Sequence, residues 1–223
     1  MKSLILGIDE AGRGPVIGDL VIGGVLVDAE GETQLHKLGV RDSKLLTPKQ
    51  REQMKKEIKK IAVEHHTVSI SAKEIDELRK RMSLNEIEAM KMAELIEKCK
   101  KKPVHILIDL PDPTAEGFLK RVRKYTHLDH KIKLTVEHKA DENYPVVSAA
   151  SIIAKTERDR KMRLLEKRAG VKLGNGYPHD PDAIAFLEKC KGKLPDFVRK
   201  SWITTQRIQD KKFQKKLEQW GGL

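Results

Sequence analysis

Apolar residues recur along this chain with two alternating periods. Leu4-Ile5-Leu6-Gly7-Ile8 is apolar throughout, so residues 3–9 read as a buried strand. Val16 to Val27 is strand-rich but broken by Gly18, Gly23 and Gly24, which predicts a hairpin with bulges. Thr47-Pro48 starts a helix to about Lys60, with threonine as N-cap and proline at the first helical position. Val63 to Ser71 alternates loosely, as a third strand does. Helices over about 72–81 and 84–101 follow, the second with Ser83 and Glu86 spaced as a capping box. Pro103 to Leu110 is another buried strand, then come a helix over about 114–124 and a strand at 132–137. Lys139-Ala140-Asp141 is a short link into a long helix from about Pro145 to Arg168. Gly174-Asn175-Gly176-Tyr177-Pro178 is a turn-rich loop, Asp180-Pro181 opens a further helix, and the tail from about Thr205 is helical and basic.

Strands first, then alternating strands and helices, predict an α/β fold: a mixed sheet with helices on both faces. The 223 residues suffice for one large domain, or one with a small appendage, and the pattern shows no internal repeat. A formal charge of +12 points to a polyanionic partner. Cys99 and Cys190 match no metal-ligand spacing and suit a reducing compartment. Met1-Lys2 leads straight into a strand rather than a signal peptide, and no apolar run approaches a membrane span. A cytoplasmic protein with no membrane attachment is therefore expected, monomeric by default.

The candidate chemistry lies at the strand ends. Asp9 and Glu10 close the first strand, Asp109 closes the central one, and Asp141 precedes the long helix. Acids at the end of a core strand repel one another and lose hydration unless a cation compensates. Hard oxygen donors favour magnesium or manganese, and four carboxylates gathered at a strand-end crevice suit two such ions. That arrangement serves phosphodiester hydrolysis. The adjacent Gly12-Arg13-Gly14 lets backbone approach a ligand closely. It is not a dinucleotide fingerprint, since Ile17 stands where the third glycine belongs. Asp112, Asp129 and Asp159 read as turn or solvated residues.

These stretches together resemble type 2 ribonuclease H (ribonuclease HII) of the archaeal type. The matching runs are Gly7 to Pro15, Arg41 to Leu45, Ile108-Asp109, Lys139 to Asp141, Ser148 to Lys155 and Gly176-Tyr177, in family order. The resemblance implies a ribonuclease H-like catalytic domain over residues 1–170, with a small helical C-terminal region over 171–223 packed on it. It implies an endoribonuclease that hydrolyses the RNA strand of RNA–DNA hybrids and cuts on the 5′ side of ribonucleotides embedded in duplex DNA. Two Mg2+ or Mn2+ ions would act, leaving 3′-hydroxyl and 5′-phosphate ends. Asp9, Glu10, Asp109 and Asp141 match the family's metal-binding carboxylates. Gly12, Arg13 and Gly14 match the loop that reads the ribose 2′-hydroxyl, and Tyr177 the tyrosine packed on the sugar past the junction. Ser43 and Lys44 fall in a phosphate-contacting segment, and Lys155 is a candidate for contact with phosphate or the acidic cluster.

Gln214, Leu217 and Trp220 resemble a sliding-clamp-binding motif, although Gly221 stands where a second aromatic belongs. An amphipathic tail packed on its own domain is the alternative. Two rival functions share some of these features. A DNA nuclease or strand transferase of the same fold would share the acids but not the glycine loop. A non-catalytic hybrid-binding protein has no use for four acids, which weaken phosphate binding in the absence of metal.

Overall fold

The computed structural model of the protein describes residues 3–40, 46–190 and 192–210. In chain order the elements are β1 (Ile5–Ala11), β2 (Leu20–Val27), α1 (Ala29–Leu38), α2 (Pro48–Ile61), β3 (Glu64–Ile70), α3 (Ala72–Leu78) and α4 (Leu84–Lys98). They continue with β4 (His105–Asp109), α5 (Ala115–Lys124), β5 (Lys133–Glu137), α6 (Ala140–Asn143), α7 (Pro145–Ala169) and α8 (Pro181–Lys189). Residues 203–210 are also helical. The described residues form two compact units: those within 1–11, 20–69 and 82–159 make the first, and those within 12–19, 70–81 and 160–210 the second.

The sheet has five strands in the order β3-β2-β1-β4-β5. β1 runs antiparallel to β2 and parallel to β4, and β4 runs parallel to β5. Successive side chains of a strand face opposite sides. One side of β1 thus presents Gly7, Asp9 and Ala11, and the other Leu6, Ile8 and Glu10.

Two glycines decide how closely the first face is covered. A Cβ on Gly7 would stand 2.5 Å from the Val146 backbone, and one on Gly23 would stand 2.4 Å from the Ala150 carbonyl oxygen. Gly23 pairs with Asp9 across the β1–β2 ladder. The start of α7 therefore lies directly on this part of the sheet, where its small residues Ala149, Ala150 and Ala154 are fully buried. Val25, Val27, Leu35 of α1 and Ile58 of α2 complete that core. The opposite face carries α4, whose Leu95 leaves no room for a side chain at Gly24. The second unit has its own core, built from Val16, Ile17, Met162, Leu173, Ala183, Leu187, Phe197 and Val198.

Local signals account for most boundaries. Thr47 and Gln50 form a reciprocal capping box on α2, and the Ser83 hydroxyl accepts the Glu86 amide at 3.2 Å. Each such cap contributes about 1 kcal/mol. Several expectations change. The hairpin expected over 16–27 is a single strand, β2; Ile17 instead makes an isolated bridge to Val198 within the second unit. α1 was not expected, because its apolar face is thin and Gly31 lies inside it. It is set by Asp28, which accepts the Gly31 amide, and by Gly39, which ends it with a positive φ of 73°. Pro103 and Val104 precede β4 rather than belong to it. Lys139 to Asp141 is not a plain link, because Ala140 and Asp141 begin α6 after Lys139 turns through a φ of 59°. Asp112 has the turn role expected of it, accepting the Thr114 amide at 3.2 Å, but is buried, taking hydrogen bonds from Asn85 and Arg121 at 2.8 and 2.6 Å.

Candidate active site

The parallel register of β1 and β4 pairs Ile8 with Ile108. Asp9 and Asp109, the next residues, therefore leave the same ends of neighbouring strands, which are about 4.8 Å apart. The sheet also links Asp109 to the region of Asp141. The Ala140 amide donates to Asp109 Oδ1 at 2.7 Å, and Asp141 is the next residue. Asp9 and Asp141 are only 5% and 6% exposed. Three acids from distant parts of the sequence are thus tied into one place by register and one backbone hydrogen bond. Glu10 differs. Strand alternation sends its side chain to the other face, while its amide donates to Asp9 Oδ1 at 2.6 Å.

Burial, and then repulsion from Asp109, push the Asp9 carboxyl up to about 7, against the pull of the Ser151 hydroxyl, the Lys155 ammonium and the Glu10 amide. Ser151 and Lys155 lie four residues apart on α7, so they share a helical face. The close approach allowed by Gly7 and Gly23 brings that face to Asp9. Lys155 is therefore placed at the acids, and Ser151 joins it. The donor set is all carboxylate oxygen, largely dehydrated and mutually repelling. A small hard divalent cation fits it, and Asp9, Asp109 and Asp141 are the residues that would hold one.

Glu137 is paired with Asp109 in the β4–β5 ladder. Its carboxylate takes hydrogen bonds from Asn143 at 2.8 Å and from the Tyr144 hydroxyl at 3.0 Å. A second potential ligand group, Glu64, His66 and Cys99, has its donor atoms within 4.8 Å of one another. There Glu64 already accepts from the Lys100 and Lys101 amides and meets His66. Burial raises the Cys99 thiol to about 11. These bonds account for the cluster without an ion.

The glycine loop belongs to the second unit. Gly12 is buried at a φ of 88°, a left-handed conformation that a side chain would oppose. Gly14 is exposed, and a Cβ there would lie 3.3 Å from Tyr177 Cε1, so the tyrosine ring rests against bare backbone. The Val16 and Ile17 amides donate to the Gly176 carbonyl at 2.8 and 3.2 Å, tying the two loops together. Tyr177 is itself held by its amide on the Asn175 side chain at 2.9 Å, and the His179 ring lies 5.5 Å from its own.

Sequence reasoning missed Arg199. It is fully buried and donates to the carbonyls of Gly12, Arg13 and Gly18 at 2.6, 2.8 and 3.0 Å. The only signal in the sequence is Arg199 itself, in a basic stretch where an exposed arginine is the ordinary reading. Ser43 and Lys44 lie outside the described residues, as do Gln214, Leu217 and Trp220. Among the described residues, no helix is long and apolar enough to cross a membrane.

Known proteins resemble this chain over most of its length. A family model described as Ribonuclease HII matches residues 6–205. The ribonuclease HII of Methanothrix thermoacetophila is 44% identical over 209 residues, covering 92% of this chain and 97% of the relative. The crystal structure of the ribonuclease H2 from Pyrococcus horikoshii matches with a TM-score of 0.85 at 39% identity, covering 93% of this chain and 98% of the other. The ribonuclease HII of Archaeoglobus fulgidus, solved in complex with PCNA, matches with a TM-score of 0.81 at 39% identity, covering 89% and 95%. The chain therefore belongs to the ribonuclease HII family, metal-dependent endonucleases that hydrolyse phosphodiester bonds as ribonucleases H.

Proposed function

We propose that this ribonuclease H cuts the RNA strand of RNA–DNA hybrids and also cleaves 5′ of single ribonucleotides embedded in duplex DNA, leaving 3′-hydroxyl and 5′-phosphate ends. The observation that carries the reading is the buried Asp9 beside the half-buried Asp109 at the ends of parallel strands, with the Asp9 carboxyl raised to about 7. Such a pair is costly for folding alone and suits a cation-loaded hydrolase. Asp9, Asp109 and Asp141, joined by Glu10 reaching round from the end of the same strand, would hold two magnesium or manganese ions. Bound there, the ions supply positive charge for the phosphate transition state and lower the pKa of the attacking water.

The chain's own residues do the rest. The Glu10 amide keeps Asp9 oriented, and the Ala140 amide does the same for Asp109. Lys155 is available to a phosphate beside the acids. The backbone of Gly12, Arg13 and Gly14 reads the 2′-hydroxyl, which is both donor and acceptor and distinguishes RNA from DNA at one nucleotide. Tyr177 offers a flat face to the sugar past the junction. Ser43 and Lys44 contact the phosphate backbone, with a net charge of +12 to draw the duplex in. The role is ribonucleotide removal and primer processing by a cytoplasmic monomer.

The test is a duplex carrying one ribonucleotide, an RNA–DNA hybrid and an all-DNA duplex, each with and without magnesium. Magnesium-dependent cleavage of the first two, with 3′-hydroxyl and 5′-phosphate product ends, is expected. Cleavage of the all-DNA duplex would point to a DNA nuclease instead.

We also propose that Gln214, Leu217 and Trp220 insert into a groove of a sliding clamp. The PCNA complex of the Archaeoglobus fulgidus relative supports this. Removal of residues 214–223 should abolish clamp binding and leave cleavage of free duplex intact; undiminished clamp affinity would refute it.

A further inference from the structure

Three consecutive carbonyls of the glycine loop are held by two side chains from one short segment. Arg199 Nη2 and Nη1 donate to the Gly12 and Arg13 oxygens at 2.6 and 2.8 Å, and Trp202 Nε1 donates to the Gly14 oxygen at 3.2 Å. Arg199 Nε reaches past the loop to Gly18 at 3.0 Å. The segment is anchored in turn. Asp76 accepts the Lys200 and Ser201 amides at 2.8 and 3.0 Å, and the Trp202 ring has the Arg79 and Arg199 guanidinium groups 4.9 and 4.8 Å from its centroid. All these residues belong to the second unit.

Peptide geometry turns this clamp into an orientation device. In a planar trans peptide the amide of one residue points opposite to the carbonyl of the residue before it. With the Gly12 and Arg13 oxygens drawn to Arg199, the amides of Arg13 and Gly14 point away from it. The third clamped peptide leads into Pro15, which has no amide, so Trp202 fixes the exit of the loop. A fully buried guanidinium is costly unless dipoles surround it, and here carbonyl oxygens and an indole face do so. Fixing the loop beforehand removes the ordering cost that a flexible reader would meet on binding.

We propose that Arg199 and Trp202 are the positioning residues of ribose selection, holding the Gly12-Arg13-Gly14 backbone in the one conformation that recognises a 2′-hydroxyl. This rests on the reading that the loop recognises that group. Lysine cannot replace the arginine, because one ammonium cannot serve several carbonyls in fork geometry.

The experiment uses the full chain carrying Asp9→Asn, so that duplexes survive binding. Affinity is measured for a duplex with one ribonucleotide and for the same duplex in all-DNA form. Each lost hydrogen bond to a charged donor is worth about a tenfold change, so Arg199→Lys should cut the ratio of the two affinities about tenfold. Trp202→Phe keeps the ring, loses one bond, and should cut it about threefold. Both should leave all-DNA affinity unchanged. An unchanged ratio in the two variants, or an equal loss of both affinities, would reduce the clamp to a structural anchor and overturn the proposal. Should Arg199→Lys fail to fold, Trp202→Phe decides by the same criterion. A ratio of one in the parent overturns the ribose-reading assignment itself, and the clamp with it.

Discussion

Asp9 and Arg199 are both buried charges, and the fold treats them in opposite ways. At the end of β1, burial and Asp109 push the Asp9 carboxyl up to about 7, and Ser151, Lys155 and the Glu10 amide only partly offset this. At the glycine loop, the Arg199 guanidinium meets three carbonyl oxygens and an indole ring. One region is left short of positive charge, and the other is bound into a fixed backbone. On the functions proposed for the two regions, the difference follows from their tasks. A hydrolytic centre must keep affinity for an incoming cation, so its own residues must not neutralise it. A loop proposed to read one hydroxyl must not rearrange, and here its Gly12, Arg13 and Gly14 carbonyls are tied by Arg199 and Trp202.

The largest effect expected from breaking this contrast is on turnover. Asp9→Asn or Asp109→Asn should lower single-turnover cleavage by at least about 10³-fold, since several kcal/mol of transition-state stabilisation would depend on the cation they are proposed to hold. Glu10→Gln should cost less, about 10²-fold, because alternation sends its side chain to the other face of the sheet. Equal losses in all three would show that Glu10 reaches the same centre despite its place in the strand.

Next comes the approach of α7. Gly23→Ala would place a Cβ 2.4 Å from the Ala150 oxygen and 2.9 Å from the Ala154 nitrogen, both backbone atoms. The helix must lift, taking Ser151 and Lys155 with it. A loss of about 3 kcal/mol in urea denaturation is expected, with a parallel fall in cleavage. A variant that keeps wild-type stability would mean that the small residues of α7 do not set the geometry around Asp9.

How much of this could be read from the residues alone differs between the two regions. The acids were legible because Asp9-Glu10 and Asp109 each end an apolar run, and such runs mark buried strands. That Asp9 and Asp109 leave adjacent strands needed the β1–β4 register, which no local pattern encodes. The parting of Glu10 from Asp9 follows from strand alternation once β1 is seen to extend to Ala11 rather than stop at Asp9. The glycine loop was legible through Gly12 and Gly14, whose missing side chains are a local requirement. Its clamp was not, because Arg199 lies 187 positions from Gly12 and its burial is a tertiary fact. Helix α1 escaped for a different reason: Asp28 and Gly39 marked its ends, but the interior lacks a strong apolar stripe.

A smaller effect sharpens the loop's side of the contrast. Gly14→Ala would put a Cβ 3.3 Å from Tyr177 Cε1, a contact that needs a shift of only a few tenths of an ångström. Folding stability should hardly change. Preference for a ribonucleotide-containing duplex should fall about tenfold, since one misplaced hydrogen bond is enough for that. Binding competition between ribonucleotide-containing and all-DNA duplexes measures it. Retained preference would show that Tyr177 and Gly14 need not pack closely to read the sugar.

The smallest effect bears on the acids without any chemistry. If Asp9 carries an uncompensated desolvation cost, Asp9→Asn should stabilise the metal-free protein even as it abolishes turnover. The carboxylate is disfavoured by burial and by Asp109, whereas the amide has no charge to desolvate and keeps the shape of the side chain. A weaker hydrogen bond from the Glu10 amide and the lost pull of Ser151 and Lys155 act against this, so a net gain of about 1 kcal/mol is expected. Chemical denaturation in chelator, at neutral pH, measures it. Magnesium should then raise the stability of the parent by mass action and that of Asp9→Asn much less, so the order of the two proteins reverses on adding metal. An Asp9→Asn protein less stable than the parent in chelator would mean that the fold already neutralises this carboxylate, and the opposition between Asp9 and Arg199 would collapse.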